Sequence, residues 1–187
     1  MKKLVLALAL VLAASVATFA QKKEVKQEAS LVKWTGKKIG GSHHGEINVK
    51  SGYFEFKNDN IVGGEVVIDM NSITNKDLDN EEYNQKLVGH LKSDDFFDVE
   101  KYPTSKFVVT KATKFENGKA SITGKLTIKE NTEEITFDVV KEGNTYNAEV
   151  EIDRSKFDVR YGSNSFFDNL GDKAINDIFT LEISLAL

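Results

Sequence analysis

The sequence predicts an all-β protein, an antiparallel eight-stranded barrel with one or two short helices in its long connections. Three observations carry this. Apolar and polar residues alternate in about eight or nine separate runs, which is the two-residue period of a half-buried strand. Turn residues such as Asn117-Gly118 and Glu142-Gly143-Asn144 link runs at hairpin distance, so sequence neighbours lie antiparallel. Strands do not alternate with helices along the chain, which argues against a parallel α/β sheet. An amphipathic meander of this kind hides its apolar face in a sandwich or a barrel. A barrel also removes the sheet edges, and eight strands leave a lumen that side chains fill or one small ligand occupies.

The elements follow in order. Met1 to Lys3 are basic at the start, Leu4 to Phe19 form an uncharged apolar run, and Ala17-Thr18-Phe19-Ala20 is a small-residue exit. This is the pattern of a secretory signal peptide, residues 1–20, cut after about Ala20. The run is shorter than the roughly 20 residues a membrane span requires. Residues 21–29, QKKEVKQEA, are polar and aperiodic and read as an N-terminal tail. The domain then occupies 30–187.

Val32, Trp34 and Thr35 belong to a first strand ending near Gly36. Ile47 and Val49 alternate with Glu46, Asn48 and Lys50, and Phe54 and Phe56 with Glu55 and Lys57, before a turn at Asn58-Asp59-Asn60. Val66, Ile68 and Met70 follow. After Pro103 come Phe107 and Val109, then Ile122, Leu126 and Ile128 on a face shared with Gly124. Ile135, Phe137 and Val139 form the next run, then Ala148, Val150 and Ile152, and last Phe179, Leu181, Ile183 and Leu185.

Between Met70 and Pro103 the strand period stops. Asn80-Glu81-Glu82 has the capping residue and early acids of a helix start. Tyr83, Leu87 and Leu91 recur every four residues as one apolar stripe of about three turns. Gly162 to Ile175 is a second irregular stretch, long enough for a short helix or a packed loop. Long connections in small domains are commonly functional.

Composition narrows the function classes. Removing Lys2 and Lys3 takes the formal charge from −4 to −6, so the mature chain lacks the basic footprint of nucleic-acid or anionic-membrane binding. It has no cysteine, hence no disulfide, thiol nucleophile or thiolate metal site. No second long apolar run follows the first, and the Lys/Glu face of the strands opposes an outer-membrane barrel, whose lipid side must be apolar. No cofactor motif is present.

Several side chains are candidates for chemistry. His43 and His44 sit in a Gly-rich loop, with His90 as a third imidazole. They support an alternative reading as a secreted metal-dependent hydrolase, although no HxH or HExxH spacing exists and adjacent strand residues point to opposite faces. No GxSxG elbow accompanies the serines. Asp94-Asp95 and Glu133-Glu134 read as solvated acids. Arg154 ends a regular strand beside Asp153, where it either forms a structural ion pair or grips an oxygen-rich head group at a barrel mouth. The rings of Trp34, Phe54, Phe56, Phe107 and Phe137 fall on apolar strand faces, as a filled core or as a tunnel for a long apolar chain.

Four segments in order resemble one family. Trp34-Thr35-Gly36 with Gly41-Ser42-His43-His44-Gly45, then Asp69-Met70-Asn71-Ser72-Ile73, then Leu91 through Pro103, then Ile152-Asp153-Arg154-Ser155-Lys156-Phe157 resemble the YceI-like proteins. The likeness covers about residues 30 to 187. Where that family's late motif often continues with glycine, Asp158 stands here. The resemblance implies an extended lipocalin-like barrel binding a polyisoprenoid or fatty lipid in its lumen, without catalysis or cofactor, in a periplasmic or secreted protein. The family motif carries over to Phe96, Phe97, Pro103, Asp153 and Arg154, and the apolar strand faces supply the expected ligand lining, with Trp34, Ile47, Phe54, Phe56 and Ile68 on the early strands. Phe107, Val109, Ile122, Leu126, Phe137, Val150 and Ile152 continue the lining. Leu87, Leu91, Phe96 and Phe97 would flank one end, with Arg154 and Phe157 at the mouth. A homodimer fits a family barrel with an exposed helical insertion, with no interface readable in the sequence.

Overall fold

A computed structural model describes residues 20–187; the predicted signal peptide lies outside the described residues apart from Ala20. Among the described residues there are nine strands and one α-helix. The strands are β1 (Gln21–Glu24), β2 (Leu31–Lys38), β3 (Gly41–Lys57), β4 (Asn60–Asp69), β5 (Thr104–Ala112), β6 (Lys119–Ile128), β7 (Asn131–Glu142), β8 (Thr145–Asp153) and β9 (Ile175–Ala186). Helix α1 (Glu81–Lys92) lies in the connection from β4 to β5. From β2 onward each strand pairs antiparallel with its neighbour in sequence, and β9 pairs back with β2. The result is a closed eight-stranded meander, as the alternation predicts.

The segment predicted as a tail is instead strand β1. Gln21 to Glu24 pair with Phe56 to Tyr53, and the Val25 amide donates to Gly52 O at 2.8 Å. The cause is a mismatch of length. β3 has 17 residues and β2 only 8, so half of one β3 edge would be bare. Backbone pairing needs no side-chain pattern, and a polar segment covers that edge as well as an apolar one. β1 and β2 thus share one of the eight wall positions in succession.

The two runs predicted at Ile47–Val49 and Phe54–Phe56 are a single strand. Their inward parities differ, odd then even. Lys50 is an extra residue between Val49, opposite Ile68, and Ser51, opposite Val67. This bulge resets the phase, so that Val49 and Phe54 both face inward and are both 5% exposed.

The barrel has two different ends. At the hairpin end, short turns join β3–β4, β5–β6 and β7–β8. Asn58 and Asp59, and Asn117 and Gly118, all take positive φ, the geometry of tight hairpins. The loop end carries both long connections.

In the first, Asn80 Oδ1 accepts from the Tyr83 amide at 3.0 Å and caps α1, as predicted. The predicted stripe is shorter than three turns. Leu91 is buried and Leu87 packs against the core, but Tyr83 is 62% exposed. Only the C-terminal part of the helix reaches the barrel.

In the second, Arg154–Phe157 form a 3₁₀ turn that Asp158 ends in the left-handed conformation, φ 58° and ψ 31°. The aspartate therefore supplies the backbone geometry for which glycine is the usual residue. Beyond it, residues 162–174 form a loop with one short 3₁₀ turn at Gly171–Lys173, and Phe166 and Phe167 are largely exposed.

Candidate functional site

The inner face of the barrel lines two apolar chambers that share a waist of six residues. The upper one, of about 100 Å³, lies toward the hairpin end between Phe54, Ile61, Phe137, Val139, Tyr146 and Leu185. The lower one, of about 130 Å³, lies toward the loop end between Trp34, Ile73, Leu91, Phe96, Phe97 and Arg154. Val32, Ile68, Ser105, Leu126, Ile152 and Leu181 border both chambers. The Ser105 hydroxyl donates to Thr127 O at 2.8 Å, so the waist offers a guest no free polar group from that residue.

Most positions expected to line the lumen do so. Phe54, Phe107, Ile122, Phe137 and Val150 border the upper chamber. Trp34, Ile47, Leu91, Phe96, Phe97 and Arg154 border the lower one, and Ile68, Leu126 and Ile152 both. Four positions lie outside both chambers. Phe56 belongs to an aromatic plug, its ring 5.9 Å from that of Tyr146. Val109 is core-packed, Leu87 leans on the core from α1, and Phe157 is sealed in beneath the barrel at 1% exposure. A strand face places a side chain inward, but it does not say whether that side chain borders free space or another side chain.

Leu181, Ile183 and Leu185 of β9 also line the lumen, with Ile135 and Ala148. The same alternation that located their strands was the signal for them. Met70 continues the Val66 and Ile68 alternation and Ile175 opens β9, whereas Ile73 comes from the connection after β4 and carried no periodic signal.

Each end carries packed side chains or chain tied down by hydrogen bonds. At the hairpin end Tyr146 packs against Phe54, Phe56 and Phe115 at ring separations of 5.9–6.5 Å. At the loop end the chain after β4 is tied down on β3. Trp34 Nε1 donates to Thr74 O at 3.0 Å. Gly45 lies directly beneath; a Cβ there would stand 1.8 Å from Thr74 O. Only glycine allows that approach.

Arg154 completes the loop end. It is 2% exposed, and every guanidinium nitrogen is occupied. Nε donates to Asn176 O at 3.1 Å, Nη1 to Val159 O at 2.8 Å and Tyr161 O at 2.9 Å, and Nη2 to Ile175 O at 3.1 Å. Asp177 Oδ1 stands 3.3 Å from Nη2. Burial pushes the guanidinium below its ordinary value, opposed by Asp177 and Asp153, yet an arginine stays charged in proteins. Of its two sequence readings the geometry matches the structural one. Four of its five N–H donors go to backbone carbonyls and hold the second connection against β9.

The histidines also serve the loop end. His43 Nδ1 lies 2.7 Å from Asp77 Oδ2, and the His44 amide donates to Asp77 Oδ1 at 2.8 Å. Burial alone would raise Asp77, but these hydrogen bonds and one from Asn75 outweigh it and hold the carboxyl below its usual value. His90 lies elsewhere, edge-on to Tyr161 at 4.4 Å and Phe96 at 5.8 Å. Among the described residues no three His, Cys, Asp or Glu side chains are arranged to hold a metal ion. No helix among them is long and apolar enough to cross a membrane.

Known proteins share this sequence pattern and architecture. A family model described as a YceI-like domain matches residues 24–187. A UPF0312 protein of Vibrio parahaemolyticus and another of Vibrio campbellii are each 33% identical over 96 residues, 50% of this chain and 47% of theirs. The chain spans about half the length of these relatives. Burkholderia cenocepacia BcnA is 25% identical, with TM-score 0.64 over 87% of this chain and 99% of BcnA. A polyisoprenoid binding domain from Saccharophagus degradans shares the fold at 12% identity, with TM-score 0.58 over 87% of this chain and 95% of that domain.

Proposed function

The chain belongs to the YceI-like family, and on that premise we propose that it is a non-enzymatic carrier, exported by its N-terminal signal peptide to the periplasm or beyond. Its cargo is a polyisoprenoid or similar long-chain amphiphile held in the lumen. The carrying observation is the lining of the two chambers, which is almost wholly hydrocarbon and shares six residues at the waist. A long apolar chain asks for no hydrogen bonds, and this surface offers almost none. A fold neighbour described as a polyisoprenoid binding domain is in keeping with that chemistry.

Magnitudes agree with a chain-sized guest. A guest that buries about a dozen methylenes sets the scale. Each buried methylene contributes about 0.8 kcal/mol, so the gross gain is on the order of 10 kcal/mol before ordering costs.

Native mass spectrometry of protein purified after export should show a co-purified apolar molecule, recovered by organic extraction. Empty protein that also fails to take up a fluorescent long-chain alcohol would refute the carrier.

A further inference from the structure

We propose that the seam between β7 and β8 is a lateral gate through which the hydrocarbon chain reaches and leaves the lumen. The gate rests on the carrier reading above. These strands pair at only three positions, Val140↔Asn147, Lys141↔Tyr146 and Glu142↔Thr145, all beside their hairpin. Their outer neighbours keep full ladders. β7 pairs with β6 as far as Asn131, and β8 pairs with β9 as far as Asp153. Below Val140 the facing edges of β7 and β8 therefore have no strand partner. The next shortest ladders are β1–β3, with four pairs, and β4–β5, with five, and beyond the latter Asn60 Oδ1 accepts from the Phe115 amide at 2.8 Å.

A further observation bears on an opening. Ala148 and Ile183, cross-strand partners, border both the upper chamber and a groove on the outer surface. The slit stops at the 3₁₀ turn, where Lys129 Nζ donates to Asp158 O at 3.2 Å and Phe157 is buried.

The rim has a charge signature. Glu134 and Asp138 on β7 and Glu149 and Glu151 on β8 face outward along the seam, and Glu149 lies opposite Glu182. Lys125 beside Glu134 and Lys33 beside Glu182 are the nearest cross-strand cations. An anionic chain is therefore admitted more slowly than a neutral one at low salt.

The test uses Thr136→Cys with Glu151→Cys, positions that would face each other if the ladder ran on. The chain has no other thiol. A short cleavable thiol crosslinker across them should slow uptake and release of a fluorescent long-chain alcohol, each on the order of tenfold, leaving equilibrium binding unchanged. Cleavage should restore both rates. As a second variant, Glu149→Lys with Glu151→Lys should speed uptake of a fluorescent fatty acid several-fold at low salt, with little change for the alcohol. Unchanged rates in fully crosslinked protein that still binds the alcohol would overturn the gate alone. Unmodified protein that binds neither probe would overturn the carrier and the gate together.

Discussion

The guanidinium of Arg154 stands over the ring of Phe96 at 5.4 Å and ties the second long connection to the chain that follows α1. Phe96 in turn meets Phe97 edge-on at 5.1 Å. One buried cation thus organises both lids of the lower chamber, through carbonyls on one side and a π face on the other.

Arg154→Lys keeps the charge but cannot reproduce four carbonyl contacts in a fixed fork. Leaving buried carbonyls unpaired should lower stability by about 3–5 kcal/mol. Urea unfolding followed by Trp34 fluorescence measures this. A loss below 1 kcal/mol would mean the carbonyls find other donors.

Phe107 folds over Gly124 across the β5–β6 pair. A Cβ at position 124 would lie 2.3 Å from the Phe107 ring and 2.5 Å from Val108 O. Gly124→Ala should push the ring toward the upper chamber and cost about 1–3 kcal/mol through overpacking. Long-chain probes should bind more weakly than to the parent protein, short ones nearly as before. A chain-length series of fluorescent alcohols reads the difference.

Asp77 sets an acid limit. Its carboxyl is held below the usual value of about 3.9 in the folded state, so its stabilising effect is complete above that value. It is lost as pH falls through the lowered folded value. Asp77→Asn should therefore be less stable than the parent near neutrality, with the gap closing in strong acid. His43→Ala should narrow it in part. Urea midpoints at a series of pH values test both, and a gap that widens in acid would contradict the sign.

Asp158 holds a left-handed backbone, and among the described residues its side chain accepts only from the exposed Arg160 Nε. Asp158→Gly relieves the Cβ strain and loses a surface contact of little worth. The melting temperature should stay level or rise, within about 1 kcal/mol of stability. A marked fall would show that the carboxylate has a further structural duty.

Much of this was readable from residues. Strand alternation located the barrel wall and most of the lining, because inward and outward positions differ in polarity at a fixed period. Asn80 announced the helix start, and the Asn-Gly turn its hairpin. Less readable were features without a local pattern. Gln21 to Glu24 became a strand because β3 had an edge to spare, and Tyr83 stayed outside because the helix meets the barrel only at its last turns.

By itself the sequence determined the class of fold, the order of strands and which face of each is apolar, since all three follow from local composition and period. Only the tertiary structure decided which apolar side chains surround empty space and which fill it. It also decided what Arg154 holds and how far β7 and β8 stay zipped. Those outcomes depend on lengths, bulges and contacts between residues far apart in the chain, which no window of neighbouring residues contains.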